Sequence, residues 1–119
     1  MERTLVIGAS ENSERYSNMA VKSLRKHGHE VLAIGSKEGC IEDVKIEDGK
    51  LPFENIDTVT LYVGPRIQPD YYGYVGSLRP RRVIFNPGTE NPEFERELEE
   101  SGVEVLEACT LVLLSTGEF

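Results

Sequence analysis

With 119 residues, 39% hydrophobic and 29% charged, the chain has the makeup of one globular domain over residues 1–119, not of a disordered segment. Its formal charge of -8 and scattered Lys and Arg argue against a duplex nucleic-acid binder, which shows a basic stripe. No run approaches the ~18 consecutive apolar residues of a membrane helix, and Met1-Glu2-Arg3 leads straight into a strand pattern, so no signal peptide and a cytoplasmic protein are expected.

Strand and helix patterns alternate along the chain. Thr4-Leu5-Val6-Ile7 is a short continuous apolar run, the mark of a strand buried on both faces. Gly8-Ala9-Ser10 ends it, a polar loop runs from Glu11 to about Arg15, and a helix is predicted over 17–27 with Met19, Ala20 and Leu24 at helical spacing and Gly28 as its C-terminal cap. Val31-Leu32-Ala33-Ile34 is the second strand. Residues 35–57 hold no full crossover helix. Val44-Lys45-Ile46 reads as a short strand and Asp48-Gly49 as a hairpin turn, so a hairpin-like or irregular excursion is expected there.

Thr58 to Val63 is the third strand, ended by Gly64-Pro65. Gln68 to Ser77 reads as helix, with Pro69 tolerated in the first turn and Tyr71, Val75 and Leu78 on one face. Gly73 and Gly76 weaken it by about 1 kcal/mol each relative to Ala. Arg79-Pro80-Arg81-Arg82 is expected to be a solvated loop leading into the strand Arg82-Val83-Ile84-Phe85. Asn91-Pro92-Glu93 starts a helix with a capping Asn, a Pro at the first position and acids at the positive dipole end; Phe94 and Leu98 face the core. Gly102 ends it, Val103 to Leu106 is the fifth strand, and Leu111 to Leu114 is a last apolar element. Strands separated by helices imply a three-layer α/β/α, Rossmann-like domain with a parallel sheet of about five strands.

In such sheets, ligands sit at the carboxyl ends of the strands near the switch point. Those ends are Gly8-Ala9-Ser10, Gly35-Ser36-Lys37, Gly64-Pro65, Asn86-Pro87-Gly88 and Glu107-Ala108-Cys109. Small residues dominate them, as a closely approached backbone requires, although Gly and Pro also simply end strands. Gly8-Ala9-Ser10 precedes a helix, whose N–H groups and dipole receive anions. It is not a G-x-G-x-x-G turn, because the second and third glycines are replaced. Arg15 can pair with phosphate oxygens, and Ser17 beside Tyr16 can cap the helix or donate to phosphate.

An NAD site calls for an acid about 20 residues past the glycine turn. Here Gly35-Ser36-Lys37 stands there, and Lys37 suits an extra phosphate on the adenosine ribose: the 2′-phosphate of NADP or the 3′-phosphate of coenzyme A. It is otherwise one more surface lysine. The cofactor-binding candidates are Gly8, Ala9, Ser10, Arg15, Tyr16, Ser17, Ser36, Lys37 and Gly64. Cys40 and Cys109 lie far apart, without a C-x-x-C or Cys/His cluster, so free thiols are expected and a zinc site is not. His27 and His29 have no third ligand close in sequence. Cys109, after the fifth strand, is either a partly exposed thiol near the cleft or a small buried residue. No nucleophile-base pair, carboxylate pair or P-loop lysine motif is present, so no catalytic residue is assigned.

The segments Gly8-Ala9-Ser10, Glu14-Arg15-Tyr16-Ser17-Asn18-Met19-Ala20 and His27-Gly28-His29-Glu30-Val31, with Phe85-Asn86-Pro87-Gly88 and Glu107-Ala108-Cys109, resemble the stand-alone CoA-binding domain family. These small proteins are similar to the N-terminal CoA-binding domain of the succinyl-CoA synthetase α subunit. The resemblance implies that Gly8, Ala9 and Ser10 hold the pyrophosphate and Lys37 meets the 3′-phosphate. The run Ala33-Ile34-Gly35-Ser36-Lys37 departs from the family's usual Val-Asn-Pro type of run, which bears on the adenine and ribose contacts. The expected function is non-enzymatic binding of coenzyme A or acyl-CoA. The alternatives are an NADP-binding oxidoreductase-like protein, or a regulatory or protein-interaction domain that has lost its ligand.

Overall fold

The computed structural model describes residues 2–119. Five strands follow one another in parallel as expected: β1 (Arg3–Ala9), β2 (Glu30–Gly35), β5 (Thr58–Leu61), β6 (Arg82–Phe85) and β7 (Glu104–Glu107). Two more, β3 (Gly39–Ile41) and β4 (Val44–Glu47), come from the excursion after β2. The sheet therefore has seven strands in the order β3-β4-β2-β1-β5-β6-β7, two more than the sequence pattern suggested. β4 joins β2 in parallel and β3 returns antiparallel on β4.

The excursion is a hairpin, but its turn is Glu42-Asp43, not Asp48-Gly49. Glu42 takes a positive φ of 53° without being glycine. What holds the turn comes from another element. The Arg25 guanidinium grips Asp43 in a two-bond fork at 2.6 and 3.1 Å. Asp48 and Gly49 sit in the loop that follows β4.

The helices are α1 (Tyr16–Lys26), α2 (Tyr72–Leu78, preceded by a single 3-10 turn over Gln68–Tyr71), α3 (Pro92–Glu100) and α4 (Thr110–Ser115). The last apolar element is thus a helix. Alternation along β1 sends Leu5 and Ile7 to one face of the sheet and Val6 to the other. The first face packs with Val75 of α2 and Phe94 and Leu98 of α3; the second packs with Val21 and Leu24 of α1 and Leu114 of α4. Three layers result. Asn91 caps α3 as its sequence signature predicts, accepting from Phe94 N–H at 3.2 Å. Of the three apolar residues noted at helical spacing in α1, Ala20 and Leu24 are buried and Met19 is 38% exposed.

The Arg79–Arg82 cluster is not a solvated loop throughout. Arg82 is buried at the start of β6, where its Nε donates to Thr58 Oγ1 at 2.8 Å and its Nη2 to Glu2 at 3.2 Å. Its guanidinium also lies 4.4 Å from the centre of the Phe119 ring. Partners distant in sequence compensate the burial of this charge.

Candidate functional site

β2 and β5 leave β1 on opposite sides, so the switch point lies at the end of β1. A cleft of about 510 Å³ opens there, within the range of ligand sites. Gly8, Ala9 and Ser10 enter it from β1, and Arg15, Tyr16 and Ser17 from the start of α1. Gly35 and Ser36 come from β2, and Tyr62, Val63 and Gly64 from β5; Pro87, Gly88 and Thr89 follow β6, while Ile67 and Tyr71 form a side wall. Eight of the nine predicted cofactor residues therefore meet in one cleft. Lys37 does not line it; it is exposed directly after Ser36. A larger open groove of about 750 Å³, between α1 and the β3–β4 hairpin, collects no strand ends, and its Arg25 and Asp43 are bonded to each other.

Glycine is required at the turn. Gly8 has a φ of 98°, and a Cβ there would stand 2.9 Å from the Tyr62 carbonyl carbon and 3.1 Å from Val63 Cγ1. Gly35 is equally confined: a Cβ would run into the Ala9 carbonyl oxygen, where β1 shifts register against β2.

The start of α1 leaves backbone amides unpaired. Arg15 is its N-cap and makes no side-chain cap bond; Ser17 lies inside the helix and does not cap it. No acid occupies the first turn. Among the described residues, the amides of Ser10, Tyr16 and Ser17 have no hydrogen-bond acceptor. The loop between is nonetheless braced: Asn12 N–H donates to Ser10 Oγ at 3.1 Å, and the Asn18 side chain donates to the Ser10 carbonyl at 2.9 Å. Fixed, unpaired N–H groups at a helix N-terminus are what a phosphate needs. Arg15 is exposed with no ion pair among the described residues, and Tyr16 is 69% exposed at the cleft edge.

Residues outside the nine cofactor-binding candidates hold the walls. Gln68 is fully buried, and its amide donates to Val63 O at 2.9 Å and Thr89 O at 2.6 Å, stapling the loops after β5 and β6. Asn86 donates to Thr60 Oγ1 and Leu61 O and accepts from Thr110 N–H at 2.9 Å, so it fixes the start of α4. Tyr62 lies on the cleft wall with its hydroxyl inside. Burial pushes its phenol up to about 12; Thr110 and Thr60 beside it oppose the shift, and Cys109 adds to it. Those two threonine hydroxyls bond each other at 2.8 Å, and the Tyr62 hydroxyl closes no hydrogen bond of its own. Cys109 is the N-cap of α4, half-buried, near Tyr62 but not on the cleft surface. Cys40 is exposed, and neither cysteine is in a disulfide. No group of three or more potential metal ligands occurs among the described residues.

Fold and cleft together define a Rossmann-like α/β domain with an open cleft at the switch point of its sheet. The chain matches the CoA binding domain family over residues 2–115 and belongs to that family. Among solved structures it is similar to an uncharacterized protein at 46% identity and a TM-score of 0.97, over 100% of this chain and 98% of the other. A conserved hypothetical protein from Pyrococcus furiosus is 27% identical, with a TM-score of 0.78 over 89% of this chain and 92% of the other. A Thermus thermophilus protein is 25% identical, with a TM-score of 0.82 over 99% and 90%. No curated protein matches the chain significantly. No helix among the described residues is long and apolar enough to cross a membrane.

Proposed function

We propose that the protein binds coenzyme A or an acyl-CoA as a non-enzymatic binding module. The pyrophosphate rests on the Gly8-Ala9-Ser10 turn and the amides that open α1, with the exposed Arg15 as its counter-charge. Lys37, on the exposed turn after β2, reaches the 3′-phosphate at the mouth of the cleft. The single observation that carries this reading is the set of unpaired amides at Ser10, Tyr16 and Ser17 at the switch point of a CoA-binding-family chain. The apolar side wall of Ile67 and Tyr71 suits the uncharged parts of such a ligand.

The test is a comparison of CoA, dephospho-CoA, NADP and NAD by thermal shift and calorimetry. A ligand at 100 times its Kd adds about 2.7 kcal/mol, which moves the Tm of a chain this size by roughly 10 °C. CoA should give the largest shift and lose about tenfold in affinity without its 3′-phosphate. Lys37→Ala should erase that tenfold. A stronger response to NADP would replace the CoA reading with the oxidoreductase-like one, and no response to any of the four would leave a domain without this ligand.

A further inference from the structure

β3 is the outer edge of the sheet, so its outward N–H groups have no strand to pair with. One of them is taken. Cys40 N–H donates to the Glu11 carboxylate at 3.0 Å. Glu11 follows the glycine turn directly, in the loop that leads to α1. The other side-chain hydrogen bonds of that loop run within it or to α1. Glu11 alone, among the described residues from 11 to 15, sends its side chain across to the hairpin. Gly39 makes room for it: a Cβ at 39 would stand 2.5 Å from Glu11 Cδ and 2.8 Å from Oε2.

The segment between is Ser36-Lys37-Glu38. At its start, Gly35 pairs with Ala9 of the glycine turn. At its end, Cys40 is held by Glu11. The Lys37 turn is therefore clamped at both ends to the same phosphate-binding loop. A carboxylate in such a loop repels an anion, so Glu11 works against ligand affinity unless it has another use. The clamp supplies one.

We infer that Glu11 is a positioning residue, which ties β3 to the phosphate loop, fixes the Lys37 turn at the cleft mouth and thereby sets the preference for a ribose 3′-phosphate. The ligand half of this inference rests on the CoA reading; the tether half does not.

Three variants separate charge from tether. Glu11→Gln keeps an acceptor for Cys40 N–H and removes the charge. Glu11→Ala removes both. Gly39→Ala leaves Glu11 in place and displaces its flexible carboxylate. Without ligand, amide hydrogen exchange at residues 36–40 should quicken about tenfold in Glu11→Ala and Gly39→Ala and stay near wild type in Glu11→Gln. With ligand, the affinity ratio of CoA to dephospho-CoA should hold at about tenfold in wild type and Glu11→Gln and fall to about twofold or less in the other two. A merely structural role would lower the Tm and both affinities together, leaving the ratio unchanged. Unaltered exchange in Glu11→Ala overturns the tether. Faster exchange with an unchanged ratio overturns the specificity role. Failure of the wild type to bind CoA removes the CoA reading and the specificity role with it, and exchange alone then decides the tether.

Discussion

Gly8→Ala should be among the most damaging single-methyl additions in the chain, and its cost can be worked from two separate terms. The first is conformational. A residue with a Cβ at φ 98° loses about 1–2 kcal/mol. The second is steric. The new methyl would press on the Tyr62 backbone at 2.9 and 3.0 Å and on Val63 Cγ1 at 3.1 Å, and backbone in a central sheet cannot swing aside. Overpacking of this kind costs about 1–3 kcal/mol. The sum is about 3 kcal/mol. Unfolding entropy of roughly 2.1 cal/mol/K per residue converts this to a fall of about 12 °C in Tm. Gly28→Ala is the control. Gly28 also has a positive φ, 84°, but nothing lies within 4 Å of its Cβ position, so only the first term applies and the fall should be about 4–8 °C. Calorimetric scans of the two variants beside wild type give the comparison directly. Equal drops in the two variants would refute the close approach of the glycine turn to the β5 end.

Other consequences are equally direct. Arg15→Ala and Ser10→Ala should each weaken CoA binding, Arg15→Ala by about 1.5–3 kcal/mol, while loss of the exposed Arg15 leaves stability within about 0.5 kcal/mol of wild type; unchanged affinity in both would displace the anion site from α1. The Tyr62 phenol, pushed up to about 12 from an unfolded value near 10, retains its proton in the folded state where the unfolded chain has lost it. Its contribution is full below pH 10 and is lost as pH rises from 10 towards 12, on the order of 2 kcal/mol, and Tyr62→Phe should lack that extra loss in urea titrations across this window. Thiol labelling of the native protein should modify exposed Cys40 quickly and half-buried Cys109 more slowly, and complete inertness of Cys109 until unfolding would remove it as a candidate reactive thiol near the cleft.

The parts of the fold that were legible in the sequence are those whose causes are local. The buried run Thr4–Ile7, the Gly28 helix stop and the Asn91-Pro92 helix start each carry their reason within a few residues, and the structure places them as read. The glycine turn and the start of α1 were legible for the same reason. The hairpin turn was not, because turn chemistry favours Asp48-Gly49 while the observed Glu42-Asp43 turn is held by Arg25 of another element. The burial of Arg82 depends on Glu2, Thr58 and Phe119, none of them near it in the chain. The run Leu111–Leu114 is too short for periodicity to separate helix from strand, and Asn86, more than 20 residues away, settles it by binding Thr110 N–H. In the site, the strand ends gave the floor. Gln68 and Tyr62 escaped notice because a lone Gln or Tyr near a turn has no periodic or motif signal; the staple Gln68 forms between two loops exists only in three dimensions.

The measurement that bears most directly on the central claim is a titration of CoA into isotopically labelled protein, followed through its backbone amide resonances. Binding at the switch point predicts that the largest shifts fall on Ala9, Ser10, Tyr16, Ser17, Ser36 and Gly64, with the unpaired amides of Ser10, Tyr16 and Ser17 moving downfield as they gain phosphate acceptors. Shifts centred instead on Lys22, Arg25 and Asp43 in the α1–hairpin groove, or an unchanged spectrum at saturating CoA, would contradict it.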